Sequence, residues 1–272
     1  MDHEAVLAAF DDQIRRRAWP PGPDEDVERE DSVVRIITDG WSGVTWSDLD
    51  ASTADAVIAA QVDRFAQLAR PWEWKHFSYD QPADLPARLV AAGLTAEPAE
   101  TLLVAEIVDL AVDVPPPAGV QLMPVVDERG VEAFARMHAH VFGGDHSAIG
   151  RTLLASLSQE LPSHLAVIAW FEGTAVGAGR VELQPGTGFA SIWGGCTLPA
   201  WRGRGVFRSV VAHRAALASA RGFRYLQVDA TPDSRPILRR LGFVELATTT
   251  PFAHPGIQAH SRGRTRATTD PT

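Results

Sequence analysis

The sequence predicts an α/β protein built as two successive domains, and three observations carry that expectation. Runs rich in β-branched and aromatic residues alternate with runs of helical periodicity along the chain. Pro115, Pro116 and Pro117 stand together near the middle, where neither a helix nor a central strand accommodates them. The length, 272 residues, suits two domains that each bury a core.

In the first half, Val6, Leu7, Phe10 and Ile14 have helical spacing over residues 4–18. The stretch WPPGPDEDVERED breaks that helix, and its acidity makes it a solvated loop rather than an attractor for a cationic substrate. SVVRIIT and WSGVTW read as strands. Ser52 is positioned to cap a helix over 54–69, which Pro71 stops. WEWKHFSY is a strand, LPARLVAAG a short helix with Gly93 as its C-cap, and TLLVAEIVDL a strand.

The proline run sets the boundary, giving domains over 1–114 and 118–253. The second begins with a strand at 120–124, followed by helices over 127–142 and 148–159. HLAVIAWFEG and TAVGAGRVELQPG form a hairpin turning at Glu172 and Gly173; FASIWGGCTLP is a third strand. A helix over 205–221, the strand FRYLQVDA, the helix SRPILRRLGF and the strand FVELATTT complete the domain. Residues 254–272 are rich in Pro, Gly, Ser, Thr and Arg and read as a disordered tail. One weak repeat links the halves: WEWKHFSYDQPADLPARLVAAGL and FRYLQVDATPDSRPILRRLGF share strand, polar loop, short helix and Gly.

Asp and Glu number 34 against 25 Lys and Arg, a net charge of −9. Such a chain repels phosphate backbones, which argues against nucleic acid as a partner. Lys75 is the only lysine, and the arginine bias reads as compositional. Cys196 is the only cysteine, so there is no intramolecular disulfide. Acids stand in MDHEAVLAAF where a secretory leader would be basic, and no apolar run approaches the ~20 residues of a membrane span. A cytoplasmic protein without a membrane partner is expected. His138, His140 and His146 lack the spacing of a metal site, so no metal is expected.

The chemistry concentrates in GGCTLPAWRGRGVFRSVVAH. A strand ends at Pro199, and Arg202-Gly203-Arg204-Gly205 leads straight into a helix. The first amides of that helix lack internal partners, and its dipole end is positive. With glycines allowing close approach, this makes a site for a pyrophosphate. The third glycine of a dinucleotide fingerprint and the G-K-[ST] of a P-loop are both missing.

These residues resemble the GCN5-related N-acetyltransferases, the GNAT family, whose cofactor motif is [RQ]-x-x-G-x-[GA]. Arg202, Gly203, Arg204, Gly205 and Val206 fill its first five positions. Ser234 and the run from Ile237 to Phe243 match the family's late Asn and L-Y-x-x-x-G-F-like helix. The resemblance covers about 120–250. The first half is similar only in its late elements and lacks the phosphate loop, which implies a tandem form with a degenerate first copy. It implies two mixed, mostly antiparallel sheets flanked by helices, with splayed central strands in the second. Acetyl-CoA is then the co-substrate, with its pyrophosphate at the residues from Arg202 through Phe207 to Arg208 and its pantetheine arm along Thr197 and Leu198. The acetyl group would pass directly to an amine of a small molecule or peptide.

Two positions depart from the pattern. Phe207 replaces Gly or Ala, so its ring must point away from the cofactor or the site is altered. Leu238 replaces a Tyr that protonates the leaving thiolate. Glu182 and Asp229 are candidates for the general base, and Ser234 for the contact the family makes through Asn. The alternative, which both departures favour, is a non-catalytic acyl-CoA-binding or regulatory module.

Overall fold

Val6 and Phe10, four residues apart, bury one side of the first helix, α1 (His3–Phe10), which continues into a π-helical turn, Asp11–Arg16. The structure is a computed structural model and describes residues 1–17, 26–38 and 41–256. The first half continues with β1 (Asp26–Glu30), β2 (Val33–Ile37), β3 (Ser42–Ser47), α2 (Ala54–Leu68), β4 (Trp72–Phe77), α3 (Leu85–Ala91), β5 (Thr95–Ala96) and β6 (Glu100–Glu106). The second contains β7 (Val120–Pro124), α4 (Glu128–Phe142), α5 (Ser147–Leu157), β8 (His164–Phe171), β9 (Thr174–Leu183), β10 (Phe189–Thr197), α6 (Val206–Ala220), β11 (Tyr225–Ala230), α7 (Arg235–Arg240) and β12 (Val244–His254).

Three local expectations are corrected. The acidic stretch expected as a loop contains β1. Glu28 and Glu30 ion-pair with Arg35 on β2 at 2.8 and 2.5 Å, and Glu28 also bonds Arg64 on α2, so their charges are offset inside the sheet. Thr53, not Ser52, occupies the N-cap of α2. Asp50 shapes that turn by accepting from the amides of Ser52 and Thr53 at 2.7 and 2.9 Å. The closing strand runs on to His254 because its last residues have their own partners, β4 and β5. Of the tail expected over 254–272, residues 257–272 lie outside the described residues.

Among the described residues the strands join in one mixed, mostly antiparallel sheet, ordered β1-β2-β3-β4-β12-β6-β11-β10-β9-β8-β7. The last strands of the two halves are exchanged. β6 pairs with β11 (Val104 opposite Gln227), and β12 pairs with β4 (Phe252 opposite Trp74). β6 and β12 also pair with each other, Thr249 opposite Glu100. The two parallel pairings, β3 with β4 and β10 with β11, are each joined through a helix, α2 or α6.

One face of the sheet is covered by α2 and α3 in the first half, around Trp74, Phe65 and Leu89, and by α6 and α7 in the second, around Val211, Val228 and Leu238. On the other face α1 packs Phe10 against Phe77, Phe189 and Tyr225 from three strands, and α4 packs Phe134 and Met137 against Ile168 and Ala178. Arg15 fixes the π-helical turn to β3 and β4. It is buried and bonds Asp11, Asp80 and the Thr45 carbonyl, with its guanidinium 3.9 Å from the Phe77 ring centroid.

Candidate active site

β10 and β11 pair at only three positions, Phe189 to Tyr225, Ala190 to Leu226 and Ser191 to Gln227. Beyond Ser191 they part, while β10 keeps its other partner, β9, as far as Thr197. A bulge at Gly194 and Gly195, between Trp193 and Cys196, accompanies the parting, and an extra residue of this kind bends a strand. Gly194 has φ +57°, and a Cβ there would stand 2.4 Å from His138 Nε2, so only glycine fits.

Two buried side chains brace the bulge. His138 on α4 lies 2.8 Å from the Gly194 carbonyl and 3.1 Å from that of Phe134. Burial pulls its pKa down to about 4, so it is neutral at pH 7 and donates to only one of the two. From the opposite face, Arg214 on α6 donates to the carbonyls of Val210, Arg180 and Trp193 at 3.1, 3.1 and 3.3 Å. Its guanidinium has no carboxylate partner among the described residues, and burial lowers its pKa.

Below the gap the chain makes a short 3-10 turn, Pro199–Trp201, and reaches the loop that resembles the family motif. Gly203 and Gly205 have φ +75° and +91°, and Gly205 is the N-cap of α6 with no side-chain cap. The helix's first internal bond runs from Ser209 N to Gly205 O, so the amides before it point outward unpaired. Arg202, Arg204 and Arg208 are exposed around this end. Arg204 stands over Trp201 at 5.0 Å. Phe207 turns inward against Gly195 and the core, leaving the outer side of the loop clear. Next to it, a cavity of about 220 Å³ between α6 and α7 is lined by Leu110, Val114, Arg208, Val211, Ala215 and Arg240.

The remaining candidates are distributed unevenly. Thr197 is buried with its hydroxyl lacking a partner. Leu198 already uses its amide on Val176 and its carbonyl on Trp201. Asp229 lies at the gap, on the face opposite α6, with only 3% of its side chain exposed. Glu182 sits one strand away and is held by Arg180 at 2.9 Å. Ser234 stands at the start of α7 with its hydroxyl bonded to Thr231. Leu238 is core. Cys196 is buried, and burial pushes its thiol pKa up to about 11, far from a reactive thiolate. Among the described residues no cluster of ligand-type side chains is arranged to hold a metal.

Lys75 is the residue beside the gap that sequence reasoning did not place there. It ion-pairs with Asp229 across the two halves, and its ammonium is 5.4 Å from the Trp193 ring centroid. β4 and β10 are four places apart in the sheet, about 19 Å if it were flat. A lysine cannot span that, so the sheet curls around this face. Its standing as the single lysine was the available signal.

A mixed sheet with a parted parallel pair above an open helix start is the arrangement that the family resemblance implies. Residues 132–243 match the model of the acetyltransferase (GNAT) family, and the chain carries a GNAT domain there. Among curated proteins no sequence matches the chain. A GCN5-related N-acetyltransferase from Kribbella flavida has a similar fold, with TM-score 0.68, 20% identity, and 94% of this chain and 96% of that one covered. A functionally unknown conserved protein from Staphylococcus epidermidis is similar at TM-score 0.65 and 12% identity, covering 91% and 98%. A tandem GNAT protein from the clavulanic acid biosynthesis pathway is similar at TM-score 0.59 and 14% identity, covering 94% and 97%. At these identities the likeness is one of fold. No helix among the described residues is long and apolar enough to cross a membrane.

Proposed function

We propose that the second half transfers an acetyl group from acetyl-CoA to an amine, with the first half completing the acceptor side of the cleft. The observation that carries this reading is the gap between β10 and β11 directly above the uncapped start of α6. The open amides, Gly203, Gly205 and the three arginines fit a pyrophosphate. The unpartnered Thr197 hydroxyl and the free edge of β10 fit an extended polar arm entering the gap. The inward turn of Phe207 is compatible with that fit. Leu198 supports it less, since its backbone groups are engaged.

Acetyl-CoA, when bound, supplies an activated thioester carbonyl. The chain's contribution is to hold the amine and that carbonyl in line and to manage protons. As the new N–C bond forms and the C–S bond breaks, the amine's proton passes to a carboxylate or water, and the sulfur takes a proton from water, because Leu238 has none to give. Arg214 fixes the carbonyl of Trp193, and so the direction of the bulge amides at the gap. Asp229 is the nearest of the candidate carboxylates. It is already engaged by the Lys75 ammonium, so a water is the more accessible acceptor for the amine's proton.

Calorimetric titration of acetyl-CoA into the native protein and into Gly205→Asp and Gly205→Asn tests the reading. Both residues tolerate the left-handed conformation at Gly205, so the pair isolates charge. Binding by the native protein, weakened modestly in Gly205→Asn and abolished in Gly205→Asp, is expected. Binding that survives Gly205→Asp would move the phosphate site elsewhere, and no binding by the native protein would leave the non-catalytic alternative.

A further inference from the structure

Ser191 and Gln227 are the last pair of β10 and β11 before the gap. Side chains alternate along a strand, so the next residues on the same face are Trp193 and Asp229, one on each wall. From the first half, β4 brings Lys75 to this place. Its ammonium ion-pairs with Asp229 and lies 5.4 Å from the Trp193 ring centroid. A nitrogen thus stands across the mouth of the gap, on the face opposite α6. An acyl donor with its pyrophosphate at the start of α6 and its arm in the gap would present its carbonyl to that nitrogen.

The residue type is a second observation. Lys75 is the only lysine, and the rest of the 25 Lys and Arg residues are arginines. An arginine would hold Asp229 at least as firmly, because a guanidinium pairs with a carboxylate through two parallel bonds, but it stays charged at any ordinary pH. Only lysine can shed its proton and become a nucleophile. With 19% of its side chain exposed, Lys75 has a route for that proton to water.

We propose that Lys75 is a site of self-acetylation, at which the chain transfers an acetyl group from acetyl-CoA to its own Nζ. The inference rests on the acetyl-transfer reading and adds a residue of the first half as an acceptor. A proton first leaves the ammonium for water. The neutral nitrogen then forms the N–C bond as the C–S bond breaks. Its surplus proton passes to Asp229, freed from the ion pair, and on to water, while the departing sulfur takes a proton from water. The products are an N-acetyl-lysine and free CoA.

The loss of the first proton sets the pace. Burial by itself lowers the Lys75 pKa, but the charges of Asp229, Glu73 and Glu100 outweigh it and hold the value above that of an ordinary lysine. Little of the amine is neutral at pH 7, and the neutral fraction grows about tenfold with each pH unit. The modification is therefore slow at neutral pH and faster in alkali. It also leaves Asp229 buried without a cation.

Intact mass and peptide mapping of the protein incubated with acetyl-CoA test this. One acetyl group is expected at Lys75, at a first-order rate that does not change on dilution and that rises about tenfold per pH unit above neutrality. The native protein is expected to react at least about tenfold faster than the chain unfolded in guanidinium chloride, a small part of what proximity can bring. Lys75→Arg should take up nothing at this position, and Gly205→Asp should lose the label together with its phosphate site. The acetylated fraction should unfold at a lower temperature than the unmodified protein. A label that appears no faster in the native than in the unfolded chain, that survives Gly205→Asp, or that falls on the Met1 amine instead overturns the proposal. An unlabelled protein overturns it as well: if calorimetry still shows acetyl-CoA binding, the transfer reading stands without it, and if calorimetry shows none, that reading falls too.

Discussion

Phe207 and Gly195 are matched in size: a Cβ built on Gly195 would stand 2.9 Å from Cε2 of the Phe207 ring and 3.2 Å from Nη2 of Arg214. The absent side chain on β10 is what lets a bulky residue occupy the first turn of α6. Gly195→Ala is therefore expected to overpack this contact and to lower stability by about 1–3 kcal/mol. Urea unfolding measures it. The loss should shrink in a Phe207→Leu background, and a double-mutant cycle that shows no coupling would contradict the match.

Arg214 is expected to be more than a packing residue. Arg214→Met fills much of the same volume but leaves the Arg180 and Trp193 carbonyls without their donor, a loss of about 2 kcal/mol or more. Faster amide exchange at the bulge should accompany that loss. Unchanged stability and exchange would mean that the three long bonds contribute nothing.

Lys75→Met leaves Asp229 buried and unpaired, so a loss of about 3 kcal/mol is expected. The paired change Lys75→Met/Asp229→Asn should recover much of it, since the uncompensated charge has gone. Thermal unfolding of the two variants separates these outcomes.

The pH dependence of stability follows from Glu73 and Glu100. Both have folded-state pKa values raised above the usual 4.5. Between the ordinary and the raised value the folded protein holds more protons than the unfolded chain, so stability falls as pH rises through that window. The Glu73→Gln/Glu100→Gln variant lacks this slope. Its stability relative to the native protein should therefore improve from acid toward neutral pH, which urea unfolding across that range would show.

Most of the secondary structure was legible because its signals are local. The hairpin turn at Glu172 and Gly173 takes the two positive φ values, 47° and 78°, that the sequence suggests, and the loop into α6 shows its glycines directly. The parting of β10 from β11 follows the family resemblance. The strand β1 was hidden because its acids are neutralised by Arg35 on the neighbouring strand and by Arg64, 36 residues from Glu28, contacts that only the fold brings together. Lys75 escaped for the same reason. Its partner is 154 residues away, and no periodicity within one segment reveals that β4 and β11 face a common space.

The exchanged strands also govern when this protein can finish folding. During synthesis β6 emerges long before β11 and β12, and β4 waits for a strand that ends at residue 254. Ser78 N, for instance, bonds the Thr248 carbonyl, 170 residues further on. The first half thus holds open edges on β4 and β6 until nearly the whole chain is available, and closing such distant pairings is slow. Those edges are the exposed template that invites wrong partners. A nascent chain released early would be sticky rather than half functional, and the protein comes into being only when its last strand arrives.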